Sequence, residues 1–487
     1  MDEIRRLINE IPSIAVQADH VKILETPRQF YDTLIALTRN AHERITLSTL
    51  YLGSGSLERN LVSELETALT RFPGLQLNIL LDYLRGTREG EKSSAALLKG
   101  LVPRASVHLF HTPHLRGLLK KALPERTNEI VGLQHMKLYI FDDDVLISGA
   151  NLSHSYFTNR QDRYVLIEKS PQLAEFFVRL VDAVSSCSFI LESDGSIKIS
   201  PRCNVHPYRQ TFHEYEALIR SRIMGVLDSL PSASPFPIDQ VSGADTRVFP
   251  LIQMGMFSLN QENDLLIQVF ASQDTPSKMT LTSGYFNFVD DYARLISKRG
   301  TYSMDIICAS PQDTPSKMTL TSGYFNFVDD YARLISKRGT YSMDIICASP
   351  QANGFYNGSG LSGYVPSLYV IVSEVFFRNK RPQVQLFEYA RPEWTYHAKG
   401  LWIESKESRL SATLVGSSNY GYRSVHRDLE AQLLIVTSNE HLKSRLHSEH
   451  SRLMEWSGLV EASTFLRPDH VVPGWVRLFA RYIRNFF

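Results

Sequence analysis

The stretch "HMKLYIFDDDVLISGAN", residues 135–151, decides the fold together with "HAKGLWIESKESRLSATLVGSSN", residues 397–419. Each opens on a histidine, has a lysine two places on and an acid seven places on, and closes on a small-residue turn with an asparagine. Successive side chains of a strand point to opposite faces, so His135 shares a face with Lys137, and His397 with Lys399. The odd offset of Asp142 and Glu404 turns them to the other face, where they support the motif strand or its turn. One chain carrying the pattern twice reads as two halves of one site.

Working outward, the flanking segments repeat as well. "RITLSTLYLGSG" (44–55) resembles "KMTLTSGYFN" (278–287). "LQLNILLDY" (75–83) resembles "YSMDIICAS" (302–310 or 341–349), and "SVHLFHTP" (106–113) resembles "QVQLFEYA" (383–390). Helical patterns, "LERNLVSELETALTRF" (57–72) and "VDDYARLISKRG" (289–300), follow the first strand of each half. Strands alternating with helices predict an α/β fold of two similar domains, each a mixed, mostly parallel sheet flanked by helices, with one shared cleft. The Pro/Ser-rich segment "SLPSASPFPIDQVSGADT" (229–246) reads as a linker. The expected domains are therefore 1–228 and 248–487, joined by 229–247.

A younger repeat interrupts the second half. "QDTPSKMTLTSGYFNFVDDYARLISKRGTYSMDIICASP" runs from Gln273 to Pro311 and again, letter for letter, from Gln312 to Pro350. Solenoid repeats diverge and come in longer arrays, so this reads as a recent in-frame tandem duplication or an error in the gene model. The spare copy is expected to loop out or to compete for one sheet position.

Composition narrows the class. Hydrophobic residues make up 43% and charged residues 21%, as in ordinary globular chains. A formal net charge of +1 gives no overall field that would draw nucleic acid, and no nucleic-acid partner is expected. Four cysteines (187, 203, 308, 347) make no disulfide framework and suit a reducing compartment. No apolar run is long enough to span a bilayer. The opening "MDEIRRLINEIPSIAVQADH" reads as neither a secretory signal nor an organellar presequence.

The chemistry such a pair can do is phosphoryl transfer. One imidazole attacks phosphorus and the other handles the proton of the leaving and entering oxygens, so the two are expected to start in opposite protonation states. Lys137 and Lys399 neutralise the phosphate oxygens, helped by Ser148 and Asn151 in one half and Ser417 and Asn419 in the other. Asp162 and Glu430 each stand eleven residues beyond their asparagine and are expected to hold a histidine's far nitrogen. The scheme requires no metal or other cofactor.

These motifs resemble the paired H-x-K-x4-D signatures of the phospholipase D superfamily, the second departing at Glu404. The resemblance implies a catalytic set of His135, Lys137, Asp142, His397, Lys399 and Glu404; it leaves open which histidine is the nucleophile, with His135 favoured because its half keeps the full H-x-K-x4-D pattern. "LYLGSG", "LFHTPHLRGLL", "SGANLSHSYFTNRQDRYV" and "GYRSVHRDLEAQLLIVT" narrow the likeness to eukaryotic phosphatidyltransferases that use CDP-diacylglycerol and glycerol 3-phosphate. That likeness implies release of CMP, the committed step toward phosphatidylglycerol and cardiolipin, and peripheral residence on the matrix side of the mitochondrial inner membrane. Hydrolysis of a lipid or nucleic-acid phosphodiester is the alternative within the superfamily. An inactive scaffold, broken by the duplication, is the alternative outside it.

Weaker signals remain. Gly86, Lys92 and Ser93 in "GTREGEKS" fall in register with an ATP-binding phosphate loop, but Glu91 replaces the second glycine, so a surface loop is the better reading. Arg116, Lys120 and Lys121 with Leu115, Leu118 and Leu119 suggest contact with an anionic membrane. So does "WVRLFARYIRNFF" (475–487), with Trp475, Phe479, Tyr482 and Phe486 on one face and Arg477, Arg481 and Arg484 on another, packing against the core being the equal alternative. His111 and His114 lack the further ligands a zinc site needs. Arg423 and Arg427 are candidates for the glycerol phosphate, with structural ion pairs the stronger reading.

Overall fold

The computed structural model describes residues 10–117, 131–231, 245–271, 277–283, 317–322, 342–358, 363–380, 382, 384–405, 410–420 and 422–483. Each half builds one sheet. The first has nine strands, in the spatial order Ile197–Ile199, Phe189–Leu191, Ala105–Phe110, Gln76–Asp82, Arg44–Ser48, Leu138–Phe141, Asp144–Ser148, Tyr164–Ile167 and Val21–Leu24. The second follows the same plan from Thr246–Met254 through Glu430–Thr437, Ser411–Gly416 and Gly400–Ser405 to Ser277–Ser283, and ends on Val384–Tyr389 and Ser457–Leu459. The chain's first strand, Ile14–Val16, crosses to this second sheet and pairs with Thr246–Val248.

The α/β class holds, and the parallel part is smaller than expected. In the first sheet only the pairings of Gln76–Asp82 with its two neighbours are parallel. The rest are antiparallel; the motif strand Leu138–Phe141 returns at once through a tight hairpin into Asp144–Ser148, and a short turn can join only antiparallel strands.

Strand alternation explains the core. Leu138 and Ile140 face a core shared by both halves, whereas Tyr139 and Phe141 face the first half's own. The shared core also takes Leu173, Phe177 and Val184 from the helix Pro171–Ser186, and Val248, Leu433 and Ile435 from the second sheet. A polar clasp reinforces it. Arg163 is 1% exposed and reaches across to the second half. Its Nε and Nη2 donate to the Glu449 carboxylate at 2.8 and 2.7 Å, and its Nη1 donates to the Leu414 carbonyl. Its guanidinium lies 3.8 Å from the centroid of the Trp402 ring. Removing one partner of such a buried pair typically costs ~3–5 kcal/mol, so this contact fixes how the halves sit.

The duplication resolves differently from either expectation. Both copies of its first strand enter the second sheet, side by side and parallel. Met279 pairs with Met318 and Ser283 with Ser322, in register. Ser342–Ala348, from the second copy, then pairs with Lys317–Ser322. Identical strands present identical edges, so a parallel ladder accepts the extra strand with no change of register. The segments between these strands lie outside the described residues. Excising 312–350 leaves residues 303–309, identical in sequence to Ser342–Ala348, to take the place of that strand. The shortened chain should therefore unfold cooperatively with a thermal midpoint no lower than the full chain's. A broad, non-cooperative transition in a circular-dichroism melt would contradict this.

Candidate active site

The two halves meet at the motif histidines through a pair of equivalent contacts. The His135 N–H donates to the carbonyl of Leu429 at 2.9 Å, and the His397 N–H to the carbonyl of Gln161 at 2.8 Å. In each case the next residue is the orienting acid. His135 Nδ1 lies 2.9 and 3.0 Å from the two oxygens of Glu430, and His397 Nδ1 lies 2.6 Å from Asp162 Oδ2. Each acid thus serves the histidine of the other half. All four residues are at most 6% exposed.

With both Nδ1 atoms held, Nε2 is the reacting nitrogen on each ring. The Tyr156 hydroxyl sits 3.3 Å from His397 Nε2. That hydroxyl accepts from Asn151 Nδ2 at 3.2 Å and from Arg160 Nη1 at 3.3 Å. A hydroxyl has one proton to give, and this set of partners suits its donation to Nε2 with the His397 proton on Nδ1 toward Asp162, where Lys399 Nζ also stands 2.9 Å from Nδ1. His397 therefore rests as a neutral base.

Electrostatics agree. Burial first, then the neighbouring lysine, holds both His135 and His397 well below the ordinary histidine value. The expected opposite protonation states are therefore not the resting arrangement: a buried imidazolium beside a buried ammonium is disfavoured in both halves. Burial raises Glu430 to about 7 and Asp162 to about 6 against the lysines' opposing pull. Each imidazole–carboxylate pair thus shares one proton. Burial also lowers Lys399 to about 8 and Lys137 well below its usual range. Lys137 Nζ donates to the His135 carbonyl at 2.7 Å, and Lys399 Nζ to the His397 carbonyl at 2.8 Å while standing 3.7 Å from Asp162.

The structure redistributes the other sequence assignments. The Ser417 hydroxyl donates to Glu430, as does Ser424 at 2.8 Å, so these serines aim the acid that aims His135. Ser148 donates to the Arg163 carbonyl at 2.6 Å and accepts from the Ala150 N–H at 3.0 Å, which makes it part of the turn and not a phosphate ligand. Asn151 Oδ1 is buried without a partner among the described residues, while the Asn419 N–H donates to Ser424 Oγ at 3.0 Å. Asp142 stands outside the site: at φ +49° in the hairpin, it accepts the N–H groups of His42, Glu43 and Arg44 at 2.8–3.0 Å. The Glu404 backbone pairs with Lys278 and Ser411, and its side chain lies outside the described residues.

Gly86 closes a helical turn, exposed Lys92 closes a 3-10 turn, and Ser93 caps the next helix by accepting from the Ala96 N–H. That is no strand-to-helix phosphate cradle. Leu115 is fully buried, and Arg116 donates to the carbonyls of Pro113, Pro207 and Gln210, so neither faces a membrane. Leu118, Leu119, Lys120 and Lys121 lie outside the described residues, as do the side chains of Phe479, Arg481, Tyr482, Arg484 and Phe486. His111 Nδ1 meets the Thr112 carbonyl. Arg423 pairs with Asp428 at 3.2 Å.

Sequence reasoning missed Tyr156, Arg160, Ser424 and Gly149. A Cβ on Gly149 would meet Asp162 Oδ1 at 2.7 Å and Lys399 Nζ at 2.8 Å, so only glycine fits where the two halves close. Its small-residue turn was the only hint.

Two mixed sheets that place a His-x-Lys pair from each half in one buried site define a phospholipase D-like fold. A solved phosphatidylserine synthase from Haemophilus influenzae shares that fold, with TM-score 0.69 and 21% identity over 99% of this chain and 98% of the other. No family model matches the chain. It is 39% identical to the mitochondrial CDP-diacylglycerol–glycerol-3-phosphate 3-phosphatidyltransferase of Gallus gallus, covering 98% of this chain and 86% of the relative. The relative of that name from Homo sapiens is 38% identical, at 98% and 85% coverage. The chain belongs to the family of CDP-diacylglycerol–glycerol-3-phosphate 3-phosphatidyltransferases.

Burial leaves Lys399 charged below about pH 8 and neutral above it. If its ammonium neutralises phosphate oxygens, activity falls on the alkaline side with a midpoint near pH 8. A pH–rate profile flat to well above that value would refute the role.

Proposed function

We propose that this chain transfers the phosphatidyl group of CDP-diacylglycerol to glycerol 3-phosphate through a phosphatidyl-histidine intermediate, releasing CMP. The observation that carries the two-step course is the cross-held pair of histidines, each with Nδ1 on an acid of the other half. His135 Nε2 attacks the phosphatidyl phosphorus, and the bond from that phosphorus to the CMP oxygen breaks. CMP leaves as a phosphate monoester, whose second pKa is about 6, so its departure needs little help from an acid. This suits a His397 that rests neutral. In the second step the acceptor hydroxyl gives its proton to His397 Nε2 as its oxygen bonds to phosphorus. The bond to His135 then breaks and its electron pair returns to Nε2. The anionic substrate phosphate favours the ammonium forms of Lys137 and Lys399, which then neutralise its oxygens.

No metal enters this scheme. His135, Asp428 and Glu430 are the only described residues grouped as metal ligands are. Glu430 is engaged by His135 and two serine hydroxyls, and Asp428 by the Leu133 N–H and Arg423. Those acids orient; they are not poised to coordinate.

We place the reaction in mitochondria, in keeping with the relatives' printed name, and propose the matrix face of the inner membrane as its site. The substrate is a lipid and no described helix is long and apolar enough to cross a membrane. Near the C-terminus Leu466, Val471, Trp475 and Leu478 are 82%, 68%, 44% and 60% exposed. Val476 rather than Trp475 turns inward, and Arg477 pairs with Glu374. This segment is suited to lie on an anionic bilayer, with no nucleic-acid partner.

His135→Ala and His397→Ala should each lower phosphatidylglycerophosphate formation at least about 100-fold, the low end for one acid–base group. EDTA should leave the wild-type rate nearly unchanged. Near-normal transfer by either variant, or strict metal dependence, would refute the scheme, and CMP release independent of glycerol 3-phosphate would mark a hydrolase. Separately, replacing Trp475 and Leu478 together with alanine should weaken co-sedimentation with anionic vesicles by about tenfold. Unchanged binding would remove that segment from the membrane.

A further inference from the structure

The reacting nitrogen of His397 has a cationic neighbour that the scheme above leaves without a task. Arg160 lies in a short strand at the junction of the halves, where Thr395 pairs with Arg160 and Tyr396 with Gln161. Its Nη1 donates to the Tyr156 hydroxyl at 3.3 Å, the hydroxyl that is itself 3.3 Å from His397 Nε2. Its Nε donates to Thr395 Oγ1 at 3.1 Å, and its guanidinium carbon stands 4.7 Å from the Tyr156 ring centroid. The guanidinium is thus fixed by two hydroxyls and a ring, at most two hydrogen bonds from the nitrogen that takes the acceptor's proton. It is half-buried, whereas His397 is almost fully buried. After burial and Lys399, its charge also contributes to keeping His397 neutral.

We propose that Arg160 anchors the phosphate of the acceptor, so that glycerol 3-phosphate lies with its anion on the guanidinium and its far hydroxyl on His397 Nε2. The inference rests on the transferase reading and names the residue that selects an anionic acceptor. A three-carbon acceptor carries its hydroxyl at one end and its phosphate at the other, which matches a base and a cation separated by one tyrosine hydroxyl. Guanidinium is the side chain suited to this, since its planar fork can meet two phosphate oxygens at once. Arg423, by contrast, faces the Asp428 carboxylate on the His135 side, where the donor is attacked. Position relative to His397 is what distinguishes an acceptor anchor from a donor anchor.

Steady-state kinetics on mixed micelles of CDP-diacylglycerol test this with Arg160→Gln and Arg160→Lys. Arg160→Gln should raise KM for glycerol 3-phosphate by about 10- to 100-fold, the range for a lost charge-assisted contact. KM for CDP-diacylglycerol should change far less. Discrimination against glycerol, which has the hydroxyls without the anion, should narrow by a similar factor. Arg160→Lys keeps the charge, loses the fork and should fall between. Should the glutamine variant not fold, the lysine variant alone carries the test. An unchanged KM for glycerol 3-phosphate, an equal rise for both substrates, or intact discrimination against glycerol would overturn the assignment. Failure of the wild-type chain to make any phosphatidylglycerophosphate would instead overturn the transferase reading.

Discussion

Everything in this molecule depends on one reciprocal constraint: neither half can orient its own histidine. His135 needs Glu430 and His397 needs Asp162, and the backbone contacts at Leu429 and Gln161 are equivalent bonds, one for each histidine. A free imidazole exchanges tautomers and swings about its side-chain torsions. Here each is locked with Nδ1 toward an acid, and the lock forms only when the halves dock. Activity and association of the halves are therefore one structural event.

The arrangement is electrostatically costly. Two imidazoles, two ammonium groups and two acids are buried together, and burial is the first cause of every shift among them. The cost is offset in two ways. Opposite charges alternate within the cluster, and shared protons reduce the charge that must be carried. Around it, large apolar surfaces and the Arg163–Glu449 clasp hold the halves closed. Arg163 directly follows Asp162, so the residue that clasps the second half also positions the acid that serves it, and its own N–H donates to Asp162 Oδ1 at 2.8 Å. The symmetry is imperfect where it matters. Glu430 is held by two hydroxyls, Asp162 by a backbone N–H and a lysine, and among the described residues a tyrosine hydroxyl meets Nε2 of His397 but not of His135. Such differences let two like histidines do unlike work.

Much of this was legible in the chain. The period-two strands, the paired motifs and the acids eleven residues past each asparagine gave two α/β halves and the members of the site. What a linear pattern cannot carry is which half an acid serves. Asp162 lies in the same half as His135, and only the docked halves show it on His397. Nor does spacing tell a phosphate ligand from a scaffold: Ser148 and Ser417 occupy similar turns, yet one closes a loop and the other aims a carboxylate. Tyr156 and Arg160 gave no signal because their importance comes from a neighbour more than two hundred residues away. The duplicated strand misled for a different reason. A sequence repeat suggests competition for one place, whereas a parallel ladder has room for another identical strand.

The central claim is that one phosphorus atom is attacked twice, from opposite sides, by His135 and then by the acceptor. The stereochemical course at that phosphorus tests it most directly. CDP-diacylglycerol made chiral by sulfur substitution at the phosphatidyl phosphorus can be converted with glycerol 3-phosphate, and the product's configuration determined. Each in-line displacement inverts the centre, so two give net retention, which is the predicted result. Net inversion would show a single displacement without a histidine intermediate, and would contradict the account.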